Sequence, residues 1–429
     1  MTHAVKILMC TSAVLLFASI FPSNVIAELP QYDDTKHLGV ASCASSVCHG
    51  SVQSRTSTAV RQNEYVIWSR RDRHRISYNT LLNEESKAIA KKLGLTNAHE
   101  ADICLDCHAD NVAAELRGPK FQIDDGIGCE GCHGGAENYI SSHVDPDTPR
   151  LETIEAGLYP TDDAHARAKL CLSCHLGVGS KMATHDIMGA GHPRISFELD
   201  TFSALQPAHY IMDKDYRDNK WSGSSVELWS VGQIEASRQT LVLISERLHA
   251  KGLFPELALF DCHSCHHSMS DQKWQQNDRS NLPPGSVRLN DANFIMLFAI
   301  ASVVSPDMEK SLKASLKGLH SSVQNGGDVK KQIASMLTMI DRLDSKLDAA
   351  DLNALIPKLR KTIVKRAATG NLNDYVGAEQ ATMALDMLLS LEGKRDKHAK
   401  WLDKLYDSVS DEDHFKPYKF SKVMKQFAG

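Results

Sequence analysis

The sequence predicts a mainly α protein: a motif-rich region with little regular sheet, followed by a C-terminal helical bundle. Three observations predict it. Short cysteine–histidine motifs recur between residues 43 and 266, and apolar residues recur at helical spacing after residue 290. No stretch shows the strict alternation that marks a half-buried strand.

Residues 1–27 have the make-up of an export signal. Lys6 gives a positive start, Ile7 to Phe21 is mostly apolar, and Val25–Ala27 offers a small-residue cleavage site before Glu28. The apolar stretch falls short of the roughly 20 residues a spanning helix needs. Cys10 sits near its start, away from the lipoprotein position. A cleaved signal is expected, with an uncleaved anchor as the alternative. No later stretch approaches about eighteen uninterrupted apolar residues, so the mature chain is expected to be soluble and periplasmic or extracellular.

The region from 28 to 284 is organised around five motifs. They are Cys43–His49, Cys104–His108, Cys129–His133, Cys171–His175 and Cys262–His266. Each pairs two cysteines (Cys43 and Cys48, Cys104 and Cys107, Cys129 and Cys132, Cys171 and Cys174, Cys262 and Cys265) and ends on a histidine. This is the attachment pattern of c-type haem. The thiols add across porphyrin vinyl groups, and His49, His108, His133, His175 and His266 become proximal iron ligands. The first motif has a four-residue spacer, whose extra residues are expected to bulge outward. Zinc would use cysteine pairs too, but gives no reason for a histidine directly after every second cysteine. Eleven cysteines less Cys10 are all consumed, so five covalent haems and no disulfide are expected.

Charge narrows the partners. The formal net charge is −5, removal of Lys6 makes it more negative, and propionates would add to it. That argues against nucleic acid and anionic membranes and suits a basic redox partner. Aromatics make up only 6% of the chain, as expected where porphyrins fill the interior. The second and third motifs start 25 residues apart, too few for separate cores, so their haems should be neighbours.

Helices are expected over Glu84–Leu93, stopped by Gly94, and over Ile234–Lys251, with Ile234, Leu241, Ile244 and Leu248 on one face. Asn281–Ser286 reads as a linker. Residues 285–429 then form the bundle: Ala292–Val304 behind Asp291, a helix opened by Ser305–Pro306, and one after Asn325–Asp328. Leu352–Arg366, Tyr375–Leu391 and Asp396–Val409 follow. The bundle's apolar stripes read as core, and His320, His398 and His414 as surface residues.

A second ligand on each iron decides between electron transfer and catalysis. Fourteen further histidines remain in the mature chain. His74, His143, His192 and His185 are the favoured distal ligands. His37, His165, His209 and His249 compete for the fifth place, and His263 and His267 are expected to point elsewhere. Met182 or Met188 is the alternative sixth ligand. Arg70, Arg71, Arg73 and Arg75 surround His74 and read as partners of buried propionates, against a solvated charge run.

Between residues 38 and 270 the chain resembles the cytochrome c-554-like multihaem cytochromes. The resemblance rests on Trp68 and His74, on Gly126–Gly134 followed by His143, on Gly191–Leu199 and on Phe260–His267. It implies closely packed haem pairs in a mainly helical shell. It further implies that His143 serves the haem on His49, that His74 serves the haem on His133, and that the haem on His108 can lack a sixth ligand. The long first spacer and the fifth motif depart from the family pattern.

The expected function is electron carriage between redox proteins. The partners would be a membrane-bound quinol-oxidase-type donor or soluble cytochromes and reductases. The alternative is a redox enzyme acting on a small nitrogen or sulfur compound at one five-coordinate haem, that on His108.

Overall fold

The computed structural model describes residues 28–56, 60–221, 223–248, 255–266, 280, 282–283, 285–372 and 374–427. The leader with Cys10, the end of the Ile234–Lys251 helix, His249, His267 and part of the Asn281–Ser286 linker lie outside them. Among the described residues the chain is helical with no β-strand; the pairings His37 with Arg117, Val178 with Lys181 and Phe260 with Leu289 are isolated bridges.

The motif-rich region is built from short helices joined by turns. The main ones are α1 (Glu64–Arg71), α2 (Glu84–Lys92), α3 (Asp102–His108), α4 (Ala164–His175), α5 (His185–Ala190) and α6 (Leu199–Leu205). Helix α2 starts where expected because Asn83 accepts from the Ser86 amide, and it ends before Gly94 at φ +72°. Apolar packing here is local: Leu81, Ala90, Ala98, Leu105 and Ala109 form one small cluster.

Helix α7 (Ser225–Arg247) joins the two regions. It starts nine residues before the expected Ile234, and Ile234, Leu241, Ile244 and Leu248 are all buried, as their spacing predicts. The C-terminal helices are α8 (Asn293–Val304), α9 (Pro306–Asn325), α10 (Val329–Asp348), α11 (Leu352–Ala368), α12 (Tyr375–Leu391), α13 (Ala399–Asp407) and α14 (Pro417–Lys425). Their ends follow the sequence signals. Pro306 occupies the first turn of α9, Gly326 leaves it at φ +70°, and Asp328 accepts from the Lys331 amide to open α10. Helix α14 has no counterpart among the sequence expectations.

One apolar core runs from Val226 to Met424. Because α7 contributes to it, this core begins well upstream of residue 285. Polar contacts tie it to the motif-rich region: Arg194 pairs with Glu379 and Glu412, and Gln380 donates to the Phe197 carbonyl. Among the described residues no helix is long and apolar enough to cross a membrane.

Candidate haem-binding site

In a helical turn, positions i, i+3 and i+4 lie on one face, so Cys-x-x-Cys-His brings both sulfurs and the imidazole to the same side. Cys104–His108 lies in α3, Cys129–His133 in a single turn, Cys171–His175 at the end of α4, and Cys262–His266 across a 3₁₀ turn. The His133 amide donates to the Cys129 carbonyl at 2.9 Å, and the His266 amide to Cys262 at 2.7 Å. The first motif closes the same way, His49 donating to Cys43 at 3.1 Å. Its extra residues are looped out, leaving Val47 exposed. None of the ten motif cysteines is in a disulfide.

Every motif histidine faces a second histidine. Ring centroids are 6.2 Å apart for His49 and His143, 6.4 Å for His108 and His192, and 6.2 Å for His133 and His209. They are 6.3 Å apart for His175 and His74, and 6.2 Å for His266 and His185. Two metal–nitrogen bonds of about 2 Å and two imidazole half-widths of about 1 Å add to about 6 Å. The five pairs therefore fit one metal atom each, held between two imidazoles.

The second ring nitrogen is also accounted for at several positions. His49 Nδ1 lies 3.0 Å from Glu64 Oε2, and His74 Nδ1 lies 2.9 Å from Asp72 Oδ1. His143 Nδ1 faces the Tyr139 carbonyl at 3.1 Å, His108 Nδ1 that of Ser77 at 3.2 Å, and His192 Nδ1 that of Pro193 at 2.8 Å. Engaging Nδ1 this way fixes the ring and leaves Nε2 for a metal.

Electrostatics divides the imidazoles into two groups. The hydrogen bond to Glu64 raises His49 above the ordinary histidine range, and that to Asp72 raises His74. Burial lowers His108, His175 and His209, and pushes His133 down to about 3, keeping these rings in the neutral form a metal requires.

The attachment points converge in space. Cys43 lies beside Cys129, and Cys107 beside Cys174. Cys132 is close to Cys171 and Cys174. His185 and His192 flank the short helix α5. The first motif thus adjoins the third, and the second adjoins the fourth; the second and third are also in contact, Asp110 after His108 packing on Gly131 and its amide donating to the Gly126 carbonyl at 3.0 Å.

His143 stands opposite His49, as the resemblance implies. His74 does not stand opposite His133: it faces His175, because Asp72 and α1 turn it toward the fourth motif. His209 takes the place at His133. His192 stands opposite His108, where an open face was implied. Of the other candidates, His37 is buried against Asp110 at 2.7 Å, and His165 is held by Glu235 at 2.9 Å. His263 points toward Glu412. Met182 packs against the apolar core.

Two surface assignments need correction. His320 is 2% exposed beside Asp291, and His398 is buried on Phe427, whereas His414 is exposed. Arg70, Arg71 and Arg73 are exposed around the end of α1, and Arg75 lies near Asp125.

His209 carried no motif in the sequence. Its ring bonds the Pro207 carbonyl two residues upstream, a backbone contact that leaves no side-chain signature. Comparison with curated proteins and with solved structures finds no match. Residues 42–134, a stretch spanning the first three motifs, match the family described as cytochrome c554 and c-prime, which supports a c-type cytochrome domain of the electron-transfer kind in this part of the chain.

Proposed function

We propose that this protein is an exported pentahaem electron carrier whose five irons are all bis-histidine ligated. The pairs are His49 with His143, His108 with His192, His133 with His209, His175 with His74, and His266 with His185. The observation that carries the reading is the common 6.2–6.4 Å spacing of these pairs. Bound haem supplies one-electron chemistry at an iron whose spin state barely changes on reduction. The chain does the rest: ten cysteines tether, ten imidazoles ligate, and Glu64 and Asp72 orient two of the rings. His192 opposite His108 favours a carrier over an enzyme with an open iron. Redox proteins at or near a membrane are the partners this function requires.

Mass spectrometry of exported protein counts the porphyrins, and electron paramagnetic resonance of the oxidised form counts the spin states. Five porphyrins and five low-spin irons are the expected result. The ring planes further predict two classes of low-spin signal. His49 and His143 are within 14° of parallel, whereas the pairs at His108, His133 and His175 are crossed at 81–90°. A high-spin iron at full haem occupancy would overturn the carrier in favour of the enzyme.

A further inference from the structure

A lysine is buried where two of the attachment sites meet. Lys181 is 5% exposed, its Nζ donates to Gln31 Oε1 at 3.1 Å, and it lies beside Cys174. Cys107 of the second motif lies close by. Among the described residues no carboxylate forms an ion pair with it.

The backbone is shaped to put it there. Six residues after His175 the chain doubles back: the Val178 amide donates to the Lys181 carbonyl at 2.8 Å, and the Lys181 amide returns the bond at 2.9 Å. Gly177 makes the turn at φ +121°, and a Cβ there would meet the Lys181 carbonyl at 2.8 Å. The turn thus folds the lysine back under the motif that precedes it.

A buried charge without an opposite charge is costly, so its retention calls for a compensating anionic change nearby. Cysteine sulfurs in thioether linkage carry no charge and cannot provide it. Nor can the propionates of the two porphyrins tethered here, which lie on the edge opposite the thioether-bearing vinyl positions. An added electron can: reducing either haem places negative charge beside the ammonium.

We propose that Lys181 is a fixed internal cation that raises the reduction potentials of the two haems tethered through Cys107 and Cys174. This inference rests on the pentahaem reading above.

The test is a spectroelectrochemical titration of the holoprotein. In Lys181→Met, two of the five one-electron steps are expected to move to lower potential. Each should lose about tenfold in its reduction equilibrium, about 59 mV for one electron, while Lys181→Arg keeps the native values. Gln31→Glu is the second variant, placing a carboxylate on Nζ without removing the lysine; it should shift the same two steps downward by less. Unshifted steps in both neutralising variants, with five porphyrins attached, would overturn the role of Lys181 alone. Cys174 alkylating in the native exported protein would show a lysine–thiolate pair and overturn both this inference and the five-haem count.

Discussion

The two regions of this chain are held together by different physics. Beyond residue 225, Ile234, Leu241, Phe294, Phe298, Ile340, Leu385 and Phe420 are at most 1% exposed, and helices of 17–23 residues share one apolar core. Among the described residues before it, Leu199 is the one member of the largest fully buried side chains, and the helices are mostly under ten residues. The comparison teaches that a bundle supplies its own interior, whereas the motif-rich region arranges sulfurs and imidazoles around an interior that cofactors complete. Hydrophobic packing stabilises the first; under the proposed function, covalent tethering with metal ligation stabilises the second, as in other domains whose ligand binding is part of folding.

The largest expected effect separates the regions outright. Expressed without haem attachment, residues 28–224 should lose protease resistance, while a fragment covering α7 to α14 remains protected. Limited proteolysis with far-UV circular dichroism checks this, and equal digestion of both regions would erase the distinction. Next in size, Ile340→Ala removes a side chain with no exposed surface from α10 and should cost about 2–5 kcal/mol. Denaturant unfolding of the holoprotein should show that loss in a helical transition, with the Soret band unchanged below it.

The smallest effect belongs to the seam. Asp200, at the start of α6, is pushed up to about 7 by burial and by neighbouring Glu198. The folded state therefore binds this proton more tightly than the unfolded state does. Stability from Asp200 is fully present below the ordinary carboxylate range, falls as pH rises, and is lost above about 7. Asp200→Asn should accordingly raise the melting temperature at pH 8 and leave it unchanged at pH 4, a difference on the order of 1–2 kcal/mol. Parallel melting curves at the two pH values would show that Asp200 does not titrate in this range.

What the sequence made legible follows the same division. Helix ends in the bundle were readable because each signal is local: Pro306, Gly326 and Asp328 act within a few residues of themselves. The cysteine motifs were readable for the same reason. Distal ligands are a different matter, since which iron a histidine reaches depends on how the chain returns through space. His74 was legible as a ligand but not its partner His175, which lies about a hundred positions away. His209 was one of several equivalent candidates because its positioning bond goes to its own neighbour's carbonyl, a contact without a side-chain signature. His320 misled because its polar character outweighed its place: it follows Leu312 and Leu316 at four-residue steps on the buried face of α9, beside Asp291.

Helix α5 spans only His185–Ala190. Under the proposed ligation, a rod of barely two turns has one imidazole at each end, and the two belong to different irons. Neither metal can shift along its axis without pushing on the other through that strut. Thermal drift between those two centres is thereby suppressed, and the tunnelling gap across this junction should vary less with temperature than at any step bridged by loops.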